Sequence, residues 1–181
     1  MNYYISDTHF GHYNIIKHCN RPFKTAEEMD DIMIKNWNKT VSQNDTVYIL
    51  GDIAFSKTDP MEYLKQLKGK KFVVVGNHDY DISKNRKKYL ESKTLHGIYD
   101  YLEIKDTINN QPYKVVMSHY PMVEWNGFFR GSIHLYGHIH NNEQNNAYRV
   151  MSTIDNTYNV GADVLGFKPR TLAEIVKGVR K

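Results

Sequence analysis

Lys71-Phe72-Val73-Val74-Val75-Gly76-Asn77-His78-Asp79 is the stretch that decides the fold. After Lys71 it is a continuous apolar, β-branched run, the pattern of a strand covered on both faces. The run ends abruptly in Gly-Asn-His-Asp, so polar side chains appear where the strand stops. The same arrangement recurs through the chain. Asn2-Tyr3-Tyr4-Ile5-Ser6 leads into Asp7-Thr8-His9, and Thr46-Val47-Tyr48-Ile49-Leu50 leads into Gly51-Asp52. Further on, Tyr113 to Met117 delivers Ser118-His119, and Ile133-His134-Leu135-Tyr136 delivers Gly137-His138-Ile139-His140.

Helical signals lie between these strands. Tyr13 to His18 reads as one or two turns, broken at Arg21-Pro22-Phe23. Thr25-Ala26-Glu27-Glu28 reads as a capping box, with Glu28 reaching back to Thr25. The following helix carries Met29, Ile32, Met33, Asn36 and Trp37 on one face. Asp59-Pro60 opens another helix, with Met61, Leu64 and Leu67 inward and Gly69 as its stop. Ser83 to Glu91 reads as a polar helix, and Thr171 to Val176 as the last one. Ile98 to Lys105 and Tyr113 to Met117 read as two strands around Asn109-Asn110, with Tyr148 to Met151 and Tyr158 to Val160 as short closing strands. Strands alternate with helices early and follow one another late, which implies an α/β layered sandwich with a mixed sheet.

A length of 181 residues fits one domain, 1-181, with a sizeable core. The net charge of +4 is too small to argue by itself for nucleic acid. The lone cysteine, Cys19, excludes an intrachain disulfide and makes a reducing cytoplasm the default; it reads as a small packed residue. Met1 leads straight into Tyr3-Tyr4-Ile5 without the basic and apolar regions of a secretory signal. No apolar run reaches the roughly 18 residues that a membrane span needs, so no membrane partner is expected. The 14 tyrosines either line a cleft or fill the core.

Two aspartates, one asparagine and five of the nine histidines gather at strand ends, where open α/β sheets place their function. This nitrogen and oxygen donor mixture, without thiolate, suits borderline divalent metals.

The order Asp-x-His, Gly-Asp, Gly-Asn-His-Asp, His, Gly-His-x-His resembles the calcineurin-like metallophosphoesterase superfamily from Asp7 to His140. Gly11-His12, Arg21-Pro22-Phe23, Asn36-Trp37-Asn38 and Asn159-Val160-Gly161-Ala162-Asp163-Val164 resemble a compact bacterial and phage branch of it. The resemblance implies a four-layer α-β-β-α sandwich with mixed sheets and a dimetal site at the strand C-terminal ends. It also implies that Asp7, His9 and His140 hold one metal and that Asn77, His119 and His138 hold the other, with Asp52 bridging both. The implied catalytic residues are Asp52, Asn77 and His78, the last facing the phosphate as stabiliser or proton donor. Two divalent ions are implied, manganese foremost, with iron, zinc, cobalt or nickel also accommodated. The reaction so implied is in-line attack on a phosphoester by a metal-bridging hydroxide.

Arg21, His12 and Arg130 are the candidate substrate contacts, the arginines because planar guanidinium suits phosphate. Each also has a plainer reading as a surface or loop residue. Asp79 either orients His78 or caps the following helix. Trp125, Phe128 and Phe129 either stack on a base or form a lid packed on the core. The clusters Lys65 to Lys71 and Lys84 to Lys88 read most simply as basic helix ends and solvated faces, with nucleic acid the sharper reading. His18, His96 and His134 read as structural histidines. The expected function is phosphoester hydrolysis, a small or nucleotide-like phosphodiester being the expected partner. A nuclease acting on DNA or RNA is one alternative. A non-catalytic scaffold that keeps the fold, as in the retromer subunit, is another.

Overall fold

The computed structural model describes residues 1–55 and 58–178. Its strands form two four-stranded sheets. The first holds β1 (Asn2–Ile5), β2 (Thr46–Ile49), β3 (Lys70–Val74) and β4 (Gly97–Tyr99), adjacent in chain order and all parallel. The second holds β5 (Leu102–Ile108), β6 (Gln111–Met117), β7 (Ile133–Tyr136) and β8 (Thr157–Asn159). Here β5 is antiparallel to β6 and the other pairs are parallel, so only this sheet is mixed. The one hairpin turns on Asn109 and Asn110 at φ 50° and 64°, the left-handed pair that two-residue hairpin loops demand.

The helices are α1 (Tyr13–His18), α2 (Ala26–Thr40), α3 (Pro60–Leu64), α4 (Tyr80–Lys84), α5 (Arg86–Glu91), α6 (Asn146–Met151), α7 (Ala162–Leu165) and α8 (Leu172–Gly178). With the sheets they make a four-layer α-β-β-α sandwich. Its main core cluster draws on both sheets and on α2, α3 and α8. Tyr4, Tyr48 and Phe72 are partners in register across β1, β2 and β3, and successive ring centroids lie 5.5 Å apart. The Tyr4 hydroxyl donates to Asp106 Oδ2 on β5 at 2.6 Å, tying one sheet to the other. These tyrosines therefore fill the core. No described helix is long and apolar enough to cross a membrane.

Several local expectations need correction. Thr25 does cap α2, accepting the Glu28 N–H at 3.1 Å, but the Glu28 carboxylate takes the Lys24 N–H rather than that of Thr25. Met29, Met33 and Trp37 are buried on α2, while Ile32 is 37 % exposed, so the inward stripe is narrower than the spacing implied. The strand expected over Ile98 to Lys105 is two strands in different sheets, β4 and β5, parted at Asp100 and Tyr101. The helix expected over Ser83 to Glu91 is α4 and α5, parted at Asn85. Tyr148 to Met151 is the end of helix α6, not a strand. Asn145 caps it by accepting the Ala147 N–H, and its apolar side packs on Tyr136 and Ile139. A four-residue apolar run carries too little periodicity to separate the two states.

The ends of β1 and β8 meet. Ser6 N–H donates to Val160 O and Ala162 N–H to Ser6 O, both at 2.8 Å. This junction brings the strand ends of the two sheets onto one side of the molecule.

Candidate metal centre

Seven side chains gather at that side, each delivered by the loop after a strand. The loops are tightly wound. Asp7, His9, Asp52, His138 and His140 have φ of 55°, 51°, 55°, 71° and 50°, five of the eleven non-glycine residues with positive φ among those described. Each costs roughly 1–2 kcal/mol of backbone strain, and such strain clusters at functional sites. Two glycines permit the close approach. A Cβ on Gly51, whose φ is 87°, would lie 2.6 Å from Gly76 Cα and His119 Nδ1. One on Gly137 would strike Ser6 Oγ and the Asp7 carboxylate.

The donors fall into two groups. In one, Asp7, His9 and His140 bring ligand atoms within 4.8 Å of one another; in the other, Asp52, His119 and His138 do so. The structure thus places the two histidines of the Gly137-His138-Ile139-His140 turn in different groups. Asp7 lies against the start of that turn, where the His138 N–H reaches its carboxylate oxygens at 3.1 and 2.9 Å.

Hydrogen bonding indicates what the groups can hold. His119 Nδ1 lies 2.8 Å from Leu50 O, so the tautomer that satisfies it carries the proton on Nδ1 and leaves Nε2 a lone pair. That lone pair lies 3.0 Å from Asn77 Oδ1 and 3.5 Å from Asp52 Oδ2, which are acceptors too. His9 Nε2 is buried with no hydrogen-bond partner among the described residues, and it lies 3.6 Å from the same Asp52 oxygen. Buried acceptors facing one another need a shared cation or protons between them. Divalent cations fit this donor set.

Burial pushes the Asp7 carboxyl up, while the nearby His140 and His119 pull it back. It pushes the His9 and His138 imidazoles down, toward the neutral form that ligates metal. His140 differs. Burial lowers its pKa, but the hydrogen bond to Asp163, the neighbouring Cys19 and the Asp7 charge together outweigh this and raise it to about 10. A cation on its Nε2 has to displace that proton.

A supporting set lies behind the donors. Asp163 Oδ2 accepts from His140 Nδ1 at 2.9 Å. Its carboxylate also pairs with Arg21, at 2.7 Å to Nε and 3.0 Å to Nη2. Arg21 further donates to Thr8 O at 2.9 Å and to Asp7 O at 2.8 Å, and its side chain is fully buried. This corrects the expectation that Arg21 contacts substrate: every edge of its guanidinium is already engaged inside the protein. Asp163 was not singled out from sequence. The signal was present in the Gly161-Ala162-Asp163 stretch, but nothing local indicates that it reaches His140.

Asp79 corrects both of its expected roles. It neither touches the His78 ring nor caps α4 with its side chain. Its buried carboxylate accepts three backbone N–H groups, from Asp52 at 2.8 Å, Ile53 at 3.0 Å and Gly76 at 2.8 Å. It clamps the loop after β2 to the loop after β3. Burial raises its pKa to about 6 against those three donors.

His78 is exposed, with its ring centroid 5.3 Å from that of His9; its N–H donates to Asp52 Oδ1 at 2.8 Å. His12 stands at the rim, half-buried, its ring stacked on Phe55 at 4.1 Å and its Nδ1 3.4 Å from His9 Nδ1. Tyr120, not singled out from sequence, forms the opposite rim. It is 51 % exposed, its ring lies 4.5 Å from that of His138, and its hydroxyl is 3.4 Å from Asn77 Oδ1.

Arg130 is not brought to this site. It borders a groove with Pro112 and Lys114, toward the start of β6, whereas His119 follows that strand's end. Lys114 and His119 are five positions apart along β6 and its exit, up to about 17 Å. Trp125 is buried against His134 and Phe128, and its Nε1 donates to Ser132, which is the core-packed reading of that loop; Phe129 projects into solvent. His134 is buried, with Nδ1 on Val116 O and Nε2 accepting the Met122 N–H.

A two-sheet α/β sandwich with paired histidine and carboxylate nests at its strand ends defines a metallohydrolase architecture. The chain belongs to the calcineurin-like phosphoesterase family, whose profile matches residues 3–142. It is 37 % identical over 182 residues to the uncharacterized protein MJ1445 of Methanocaldococcus jannaschii, covering 99 % of this chain and 91 % of that one. It is 26 % identical to the Gene 66 protein of Mycobacterium phage L5 over 159 residues, 76 % of each chain. Among solved structures, a protein of unknown function from Aquifex aeolicus, AQ665, superposes with a TM-score of 0.70 at 27 % identity, covering 98 % of both chains. The protein is therefore a metal-dependent phosphoesterase in general class.

Proposed function

We propose that this protein hydrolyses a small, nucleotide-like phosphodiester with the help of two divalent cations, manganese foremost. Asp7, His9 and His140 would hold one cation and Asn77, His119 and His138 the other, with Asp52 between them. Such a pair supplies Lewis acidity at the phosphoryl oxygens and a nucleophile from water at neutral pH. The observation that carries this reading is the position of Asp52 Oδ2, 3.6 Å from His9 Nε2 and 3.5 Å from His119 Nε2. One carboxylate oxygen facing one imidazole from each group suits a bridge.

The remaining residues act on substrate. His78, exposed beside His9, would donate a proton to the leaving oxygen as the P–O bond breaks. Its loop is held by the hydrogen bond from its N–H to Asp52 Oδ1. The products are then a phosphate monoester and an alcohol. His12 on its Phe55 backing and Tyr120 across the cleft present ring surfaces on either side of the reacting group. Such walls suit an ester carrying a planar substituent on each side, which is why we favour a diester.

The test is metal-dependent cleavage of bis(p-nitrophenyl) phosphate beside p-nitrophenyl phosphate, cyclic nucleotides and oligonucleotides. Asp52→Asn should abolish turnover. His78→Ala should lower kcat by about 10²–10⁴ while leaving metal content unchanged. Retained activity in Asp52→Asn would overturn the proposal, and preference for oligonucleotides would move it to a nuclease.

A further inference from the structure

The strands of the first sheet begin at the side of the molecule away from the metal centre, and a second cavity lies there. It is a groove of about 470 Å³ where the chain enters β3 and β4, bordered by Lys65, Lys68, Lys70, Lys71, Lys93 and His96. Lys71 lies near the start of β3 and Asn77 in the loop beyond its end at Val74, up to about 20 Å away, so the groove is no extension of the catalytic cleft.

Its charge is not balanced by the protein. No carboxylate lines the groove, and none of its five lysines makes an ion pair among the described residues. The nearby Asp45 carboxylate is taken by the N-terminal ammonium at 2.6 Å and the Ser42 N–H at 2.8 Å. Helix ends account for only part of the cluster. Both α3 and α5 end at the groove, at Lys65 and Ser92, but a helix C-terminus offers roughly half a negative charge. The end of α2 adds a third, where Lys68 Nζ donates to Asn38 O at 3.1 Å; three such ends still leave most of five positive charges uncompensated.

The groove is also built rather than draped. Trp37 Nε1 donates to Lys68 O at 3.0 Å, Lys68 N–H to Asn38 Oδ1 at 2.9 Å, and Asn38 Nδ2 to Gln66 O at 2.8 Å, fixing this loop to α2. Lys71 is buried, its ammonium held by Leu67 O at 2.6 Å and Gly69 O at 3.1 Å. Burial pushes its pKa down to about 8, so a bound anion would stabilise its charged form.

We propose that this groove is a second ligand site, taking a small oligophosphate whose closely spaced negative charges match the uncompensated lysines. Its volume is in the range of small-molecule sites. A single-stranded nucleic acid would instead want a long track with stacking rings, and His96 is the sole ring in the lining.

The test is a titration of the full chain with sodium tripolyphosphate, followed by backbone amide resonances. Saturable shifts at Gly69, Lys70 and Lys93 are expected, in the native chain and equally in Asp52→Asn, whose catalytic centre is impaired. The triple variant Lys65→Ala, Lys70→Ala, Lys93→Ala should bind at least about tenfold more weakly, a loss of about 1.4 kcal/mol or more. Without ligand it should melt no lower than the native chain, because exposed like charges have been removed. Shifts confined to Gly76 and Gly137, unchanged affinity in the triple variant, or loss of binding in Asp52→Asn would each overturn the proposal. So would an oligothymidylate that outcompetes tripolyphosphate through the same lysines.

Discussion

Asp163 serves two partners with one carboxylate, holding His140 Nδ1 at 2.9 Å and Arg21 Nε at 2.7 Å. A carboxylate on the far nitrogen of a ligating histidine fixes its tautomer and ring plane, and losing it typically costs 10–100-fold in metal affinity. Asp163→Asn would place an amide between a guanidinium and an imidazole that both need an acceptor. Binding of the ion proposed for Asp7, His9 and His140 should then weaken by about 10–100-fold, with that of the ion proposed for Asn77, His119 and His138 little changed. A competitive chelator titration resolving two affinities measures this. Equal weakening of both would mean that Asp163 supports the whole loop rather than His140. At this scale the sequence was informative about donors and poor about their supports. The donor types and their strand-end positions were legible; the burial of Arg21 behind the site was not. A guanidinium that pairs with Asp163, 142 residues away, looks in sequence like any phosphate-binding arginine.

At the scale of elements, Asp79 joins two loops that the chain makes far apart, after β2 and after β3. Asp79→Ala would leave three N–H groups at Asp52, Ile53 and Gly76 without their acceptor. Each buried, unsatisfied donor costs about 1–3 kcal/mol, so a stability loss of about 3 kcal/mol or more is expected in urea unfolding. The adjacent His78→Ala, which removes an exposed ring, should cost less than about 1 kcal/mol. Equal losses would show that the clamp does not matter. Local signals located most elements here. Thr25 capped α2, Pro60 opened α3 and the doubly covered β3 was plain. The failures share one cause: the run from Ile98 to Lys105 is continuous in sequence, and only packing decides that its first residues complete one sheet and the rest begin another. Tyr148 to Met151 failed likewise, since its apolar side chains suit either state and the Tyr136–Ile139 surface selects the helix.

For the molecule as a whole, His134 links stability to pH. It is wholly buried between Trp125 and Tyr136, and burial depresses its pKa from 6.5 to about 4 against the Val116 carbonyl. Above 6.5 both folded and unfolded chains are neutral at this ring, and its contribution is fully present. As pH falls from 6.5 toward 4, only the unfolded chain takes up the proton, so stability falls. The depression of about 2.5 units corresponds to roughly 3 kcal/mol at most. Urea unfolding of native protein and His134→Asn from pH 7 to 4.5 should show a shallower decline in the variant. Parallel declines would assign the pH dependence to other groups.

The sequence alone determined the class of this protein. Strand-end carboxylates, amide and imidazoles in that order are a local property, because each donor directly follows the strand that delivers it. Tertiary structure decided how they combine. Which donors face each other, which histidine of the Gly137-His138-Ile139-His140 turn joins which group, and which charged residues are consumed in support all depend on how the ends of β1 and β8 meet. The same holds for the lysine groove: its residues are visible as a run, but their lack of counter-charge emerges only when α2, α3 and α5 are packed around them. Donor chemistry travels with short segments of chain, while convergence and compensation of charge are set by contacts between segments far apart in it.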